Sequence, residues 1–322
     1  MKQYTIGVDL GGTTITAGLV DNEYKIIHKG TCDTDLPRPE AEVEKTIADL
    51  CRRVVEEAGV QWEQIRWVGI GTPGSANSET GMVDFNANFG YVDWALEADM
   101  EALLHCKVYI ENDANAAAYG EYLAGAAKGS RYAVAITLGT GIGCGIVLDG
   151  KIYSGFNHAG AELGHMSIVR DGRPCMCGRK GCWEKYASSR ALAEDTRAAL
   201  KEHPESKMWD MVGGDLDKVN AKTAFDGLEA GDPLAKQLID EFTENLGFGL
   251  TNVINIFQPE ILCIGGGVSR QGETLLAPVR AYVDKNDYAR MGAKRVTIKT
   301  AQLFNDAGVV GAACLGYQTN KL

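Results

Sequence analysis

Two stretches of this chain carry the same pattern, and the repeat limits what the chain can fold into. Tyr4 to Asp9 reads as a buried strand, Leu10-Gly11-Gly12-Thr13-Thr14 as a tight turn, and Ile15 to Asp21 as a returning strand ending on the Asp21-Asn22 turn. The plan recurs in Tyr132 to Thr137, the glycine turn Leu138-Gly139-Thr140-Gly141-Ile142-Gly143, and Gly145 to Asp149. Laying Tyr4 on Tyr132 brings Leu10 onto Leu138, Gly11 onto Gly139 and Asp21 onto Asp149 without a gap. A period of this size belongs to a whole domain and not to a solenoid. At 322 residues and 45 % hydrophobic content, the chain has apolar material for the two cores that a duplication requires.

Glycine turns between strands let backbone N–H groups converge on an anion, and threonine hydroxyls add donors. One such turn is also ordinary hairpin sterics. Two matched copies rich in Gly and Thr point instead to two lobes that present loops to one polyphosphate. The run Gly145-Ile-Val-Leu-Asp-Gly150-Lys151-Ile152 falls one residue short of a Walker A sequence. Ile152 lacks the magnesium-binding hydroxyl, and the run reads as strand and hairpin, so a P-loop is rejected.

Between the copies, Val43, Ile47, Leu50, Val54 and Val55 share a helical face over Glu40 to Ala58, and Ile65 to Ile70 is a strand leading into Gly71-Thr72-Pro73-Gly74. That loop and Asn86-Ala87-Asn88-Phe89-Gly90 offer backbone and amide groups to a hydroxylated ligand, or serve as plain turns. Lys107 to Ile110 is a strand ending in Glu111-Asn112-Asp113-Ala114-Asn115, and Ala116 to Ala126 is helix-forming. Asp113 either caps that helix or acts as a general base at the carboxyl end of a strand, where open α/β sheets place ligands.

The stretch Ala161 to Ala187 holds Glu162, His165, Cys175, Cys177, Cys182 and Glu184. Three thiolates and an imidazole close the coordination sphere of a tetrahedral zinc and leave no position for catalytic water, which makes the metal structural. The alternative, thiols buried as apolar residues, fits poorly with a segment so rich in Gly, Arg and Lys. Metal ligation supplies on the order of 10 kcal/mol toward ordering a loop that cannot order itself by apolar burial, and Glu162 and Glu184 just outside the ligands either suit vicinal sugar hydroxyls or are plain surface charges. Cys32, Cys51, Cys106, Cys144, Cys263 and Cys314 complete the nine cysteines and read as buried thiols.

Farther on, Ser188 to His203 and Asp232 to Phe257 read as helices, Glu260 to Ile264 as a strand feeding a third glycine turn, Gly265-Gly266-Gly267-Val268-Ser269, and Arg295 to Ala301 as the last strand. Gly308 to Tyr317 is a closing helix whose small residues allow tight packing. A net charge of −11 argues against nucleic acid and anionic membranes, and leaves small molecules as partners. No run approaches a membrane span, and a cytoplasmic location is expected.

Together Asp9-Leu-Gly-Gly-Thr-Thr14, Gly71-Thr-Pro-Gly74, Glu111-Asn-Asp-Ala-Asn115, Leu138-Gly-Thr-Gly-Ile-Gly143, Glu162-Leu-Gly-His165, Cys175-Met-Cys-Gly-Arg-Lys-Gly-Cys182 and Ile264-Gly-Gly-Gly-Val-Ser269 resemble the ROK family of sugar kinases and repressors, with bacterial glucokinases nearest. The resemblance implies a duplicated, actin-like (ribonuclease H-like) α/β fold of two lobes around a cleft, residues 1–118 plus 303–322 forming the smaller and 119–302 the larger. It implies transfer of phosphate from Mg-ATP to a hexose, most simply glucose at position 6, with N-acetylmannosamine, mannose or allose as alternatives. Asp113 would then be the base, with Gly74, Asn88, Asn112, Glu162, His165 and Glu184 also on the sugar. Asp9 would lie near magnesium, with Gly11, Gly12, Thr13, Thr14, Thr140 and Gly141 around the phosphates and Gly266 and Gly267 near the adenosine. His165, Cys175, Cys177 and Cys182 would hold zinc, and a homo-oligomer, dimer or tetramer, is expected. Asn88 to Trp94 is longer than the family's usual loop, and His158 stands where a smaller residue is expected; both bear on which hexose is preferred. A sugar-sensing repressor would need a helix-turn-helix ahead of the first glycine turn, and only three residues precede Tyr4 here.

Overall fold

The computed structural model describes residues 3–86 and 89–318. Strands β1 (Tyr4–Leu10), β2 (Thr14–Val20) and β3 (Ile26–Asp33) form a meander. Helix α1 (Glu40–Glu57) follows, then β4 (Ile65–Thr72), a small antiparallel sheet of β5 (Ser75–Asn77), β6 (Met82–Asn86) and β7 (Tyr91–Trp94), helix α2 (Leu96–Leu104), strand β8 (Val108–Asn112) and helix α3 (Asp113–Ala124). The first sheet has the order β3-β2-β1-β4-β8, with β4 parallel to both β1 and β8.

Strands β9 (Tyr132–Leu138), β10 (Ile142–Leu148) and β11 (Lys151–Ile152) then repeat the meander. The limits of β9 and β10 follow the register read from the duplicated sequence, although the third strand shrinks from eight residues to two. Asp149 and Gly150 turn the hairpin at φ 51° and 79°, so the near-Walker run is strand and turn. Helices α4 (Glu184–Ala187), α5 (Ser189–Glu202), α6 (Met208–Met211), α7 (Ala221–Glu229) and α8 (Pro233–Phe257) precede β12 (Ile261–Gly265), α9 (Glu273–Asn286), β13 (Thr297–Thr300) and α10 (Ala307–Ala313). The second sheet repeats the order of the first, β11-β10-β9-β12-β13.

The chain divides into two compact units. The first takes in the described residues up to Ala135, Gly145–Ala161 and those from Gln302 on. Its sheet is covered on one face by α1, whose Val43, Ile47, Leu50 and Val54 are buried, and on the other by α10. Close approach there requires glycine: a Cβ on Gly7 would lie 1.9 Å from Val309 O, and one on Gly311 would lie 1.7 Å from Ala116 O of α3. A lobe boundary after residue 118 would cut α3. Glu121 shows why that helix stays whole with the C-terminal segment, since its buried carboxylate accepts Ala126 N at 2.8 Å, Gln302 N at 3.0 Å and Leu303 N at 2.7 Å.

The second unit is Ile136–Cys144 with Glu162–Ala301. Its long helix α8 begins with a strong start signal: Asp232 accepts Leu234 N and Ala235 N, and proline stands in the first turn. Of the six cysteines read as buried, Cys51, Cys144, Cys263 and Cys314 are; Cys32 and Cys106 are half-buried, because each belongs to an edge of the first core rather than its interior. No described helix is long and apolar enough to cross a membrane.

Candidate active site

In the first unit, the carboxyl ends of β1, β4 and β8 lie side by side, Asp9 opposite Gly71 and Thr72 opposite Asn112. The turn after β1 is held by Gly11 N to Thr14 O at 3.0 Å and from the end of β3 by Thr34 Oγ1 to Gly11 O at 2.7 Å. Gly12, Thr13 and Thr14 are exposed, and nothing lies within 4 Å of a Cβ built on Gly12, so this stretch of backbone is open to a ligand. Gly308 of α10 must lack a side chain, since a Cβ there would come within 2.8 Å of the Asp9 carboxylate. Burial, then the charge of Asp113, raises the Asp9 carboxyl to about 6, and no cationic side chain pairs with it among the described residues.

Asp113 opens α3. Asn112 is the cap residue, its Oδ1 accepting Ala114 N at 2.9 Å and Asn115 N at 3.2 Å while its Nδ2 donates to Gly74 O at 3.2 Å. Asn112, and not Asp113, is therefore the residue that caps the helix. Its Oδ1 accepts Ala114 N at 2.8 Å. Loss of solvent raises its proton affinity against the lowering effect of that bond. Gly74 has φ 95° and sits with Phe85 O in the place of a Cβ, so only glycine serves there. Asn88 lies outside the described residues.

In the second unit, Gly139 N bonds Gly141 O at 3.1 Å, and Ser189 grips Gly139 O through its hydroxyl at 2.5 Å and its amide at 2.9 Å. A Cβ on Gly266, which has φ 85°, would meet Leu138 O at 2.3 Å, so the third glycine turn is packed on the strand that feeds the second. Gly267 has open space around it.

His165, Cys175, Cys177 and Cys182 bring one donor atom each to within 4.8 Å of one another. Cys177 Sγ lies 3.6 Å from Cys182 Sγ and Cys175 Sγ 3.7 Å from His165 Nδ1. Two thiolates about 2.3 Å from one tetrahedral ion stand ~3.8 Å apart, so the donor set fits zinc. The knuckle is built locally, with Cys175 N bonding Arg179 O at 2.9 Å and Gly178 and Gly181 at positive φ. Gly164 lets the turn of Glu162 to His165 rest on Ile142 O, which a Cβ would approach to 2.3 Å. Trp183, fully buried against Gly249 of α8, fixes the start of α4. Glu184 is thereby aimed in two directions: Oε1 is 3.1 Å from Cys175 Sγ and 3.7 Å from His165 Nδ1, and Oε2 is 2.5 Å from where a Cβ on Gly141 would stand. The cluster of three Cys and one His and the second glycine turn thus share one carboxylate, a link that sequence alone did not reveal.

A doubled sheet of this order, with an acid at the end of the last parallel strand of its first half, places the chain among the actin-like ATPase folds. The sequence pattern of the ROK family matches residues 5–319, and the chain belongs to that family. It is 39 % identical to the glucokinase of Thermotoga maritima over 98 % of this chain and 97 % of that one. Among solved structures it is similar to a ROK family glucokinase from Streptomyces griseus in complex with glucose and AMPPNP, with a TM-score of 0.83 and 35 % identity over 98 % of this chain and all of that one. The ROK hexokinase from Thermus thermophilus gives a TM-score of 0.80 and 32 % identity, covering 98 % of each chain.

Proposed function

We propose that this chain is an ATP-dependent hexose kinase that phosphorylates glucose at its 6-hydroxyl. The observation that carries the reading is Asp113: a desolvated carboxylate at the carboxyl end of β8, beside Asp9 and in the same unit as an open glycine turn. Near-full-length similarity to glucokinases supports glucose as the first hexose.

Phosphoryl transfer is mostly positioning and charge stabilisation. Asp113 accepts the proton of the attacking hydroxyl, and its raised proton affinity brings it closer to the working range of a base. The open amides of Gly11 to Thr14, with the hydroxyls of Thr13 and Thr14, hold phosphate oxygens, as do Thr140 and Gly141; Gly266 and Gly267 take the adenosine. Asn112, Glu162, His165 and Glu184 bind sugar hydroxyls, together with Gly74 and Asn88. Asp9 fits magnesium, being a carboxylate without a cationic partner, and magnesium there would neutralise charge on the phosphates. Zinc held by His165, Cys175, Cys177 and Cys182 would order the segment that carries Glu162 and Glu184.

The test is a coupled assay. With Mg-ATP, the purified protein should release ADP only when a hexose is added, fastest with glucose from a panel that includes mannose, allose and N-acetylmannosamine. ADP release at the same rate without sugar would defeat the assignment.

A further inference from the structure

Glu111 is a buried carboxylate that the reaction above does not use. It stands one residue before the end of β8, is 4 % exposed and forms no ion pair among the described residues. Burial raises its proton affinity, against the bonds that it accepts. Its Oε1 takes two donors: Asn112 N at 2.9 Å, and Asn115 Nδ2 at 3.0 Å from the first turn of α3. Asn115 is itself 2 % exposed, and its Oδ1 has no hydrogen-bond partner. The bond to Glu111 is therefore what orients the whole side-chain amide.

The residues between those two donors are the ones assigned to the chemistry. Asn112 Oδ1 caps α3 through Ala114 N and Asn115 N, its Nδ2 reaches Gly74 O, and Asp113 Oδ1 rests on Ala114 N. Each of these contacts depends on where the first turn of α3 begins relative to the end of β8. A single carboxylate oxygen spans that junction, from residue 112 to residue 115.

We propose that Glu111 is a positioning residue for phosphoryl transfer, its Oε1 locking the junction of β8 and α3 so that Asp113 and Asn112 keep their orientation. The inference rests on the kinase reading with Asp113 as base. What the junction needs is an acceptor at Oε1 and not the charge. Glu111 also lines a cavity of about 150 Å³, half polar, to which Ser78, Lys151, Ser154 and Gln318 contribute, and which gives room for the amide nitrogen of a glutamine.

The experiment compares Glu111→Ala, Glu111→Gln, Asn115→Ala and the Glu111→Ala/Asn115→Ala double variant with the parent, normalising kcat to the folded fraction by circular dichroism. Misplacement of reacting groups by about 1 Å can cost 10²-fold, so Glu111→Ala should lower kcat by 10- to 100-fold with the KM for ATP within threefold. Glu111→Gln should restore kcat to within threefold of the parent. Asn115→Ala should reproduce the loss, and the double variant should be no worse than Glu111→Ala by more than threefold, since both single changes remove the bond from Asn115 Nδ2 and Glu111→Ala removes the one from Asn112 N as well. A purely structural role would reduce the folded fraction and leave kcat per folded molecule unchanged. The proposal is overturned if Glu111→Ala, or Asn115→Ala where that variant does not fold, costs less than tenfold in kcat, if Glu111→Gln restores nothing, or if the double variant is additive. Absence of hexose-dependent ADP release from the parent would instead remove the kinase reading itself.

Discussion

The two glycine turns stand on corresponding strands in the same register and are fastened by different means. In the first copy β3 is eight residues long, and its end reaches the turn: Thr34 donates its hydroxyl to Gly11 O and its amide to Thr13 O. In the second copy the third strand is two residues, too short to reach, and Ser189 at the start of α5 grips Gly139 O instead. The contents diverge as well. Asp9 of β1 corresponds to Thr137 of β9, so only the first copy carries a carboxylate on the strand that feeds its turn, and the second receives one from Glu184 at the start of α4. The two copies share one strand-turn-strand frame; in the first an acid, Asp9, stands on the strand before the turn, and in the second a cluster of three Cys and one His is tied to the turn through Glu184. The shared frame sets where a ligand can sit, and the side chains that differ between copies set the chemistry.

If the carboxylates of the first copy carry the chemistry, the largest effect comes from Asp113→Asn. The expected loss in kcat is 10²- to 10⁴-fold with hexose affinity, measured by calorimetry, within a few-fold of the parent. Equal losses in both would show that Asp113 only holds the sugar. The second copy is probed at its cluster of three Cys and one His. Cys177→Ser should lose zinc by elemental analysis and raise the hexose Kd by at least tenfold, because Glu184 Oε1 lies against the cluster. Retained affinity in a zinc-free variant would show that the knuckle does not organise the sugar-binding acids.

Asp9→Asn separates the copies by the sign of its effect on stability. An acid whose folded pKa is raised from 3.8 to about 6 releases its proton more easily when unfolded. Stability is then greatest near or below the unfolded value, falls as pH rises through the window between about 4 and 6, and stays lowered above it. A shift of that size corresponds to about 3 kcal/mol. Asp9→Asn should therefore raise the melting temperature at pH 7, gain nothing near pH 4, and lose kinase activity. A variant less stable than the parent at pH 7 would show that Asp9 is satisfied in the free protein. Thr137→Val, the matching change in the second copy, should show no such pH dependence.

What the sequence made legible follows the same division. The alignment of the two copies could be read to the residue because apolar runs, glycine turns and Asp-Asn or Asp-Gly turns recur in one register. Strand β10 nonetheless begins at Ile142, three residues ahead of the Gly145 expected, because Ile142 to Cys144 already pair as strand. The Cys3His cluster was legible from spacing, and the small residues of the last helix announced its close packing. Strand β3 was not visible: its exposure alternates between half-buried and exposed, and Lys29, Gly30 and Asp33 leave it no buried face. Helix α9 was masked by Pro278 inside it and Gly272 before it, residues that ordinarily mark breaks. The roles of Glu111 and Asn115 escaped because a buried polar pair has no periodic signal. The one available hint was a carboxylate closing the apolar run Val108-Tyr109-Ile110, four residues ahead of an asparagine.

The smallest predicted effect tests whether the two fastenings are equivalent. Each removes one hydroxyl-to-carbonyl bond, and a typical bond of this kind contributes about 1 kcal/mol. Thr34→Val keeps the shape of the side chain and the amide bond to Thr13 O, and loses only the hydroxyl bond to Gly11 O. Ser189→Ala likewise keeps the amide bond to Gly139 O. Each variant should therefore lose about 1 kcal/mol in chemical denaturation and raise the KM for ATP by two- to fivefold, with the hexose KM unchanged, since a looser turn weakens phosphate binding alone. If Thr34→Val raises the KM for ATP and Ser189→Ala does not, the second turn has become a structural relic of the duplication, and the phosphates are held by the first copy.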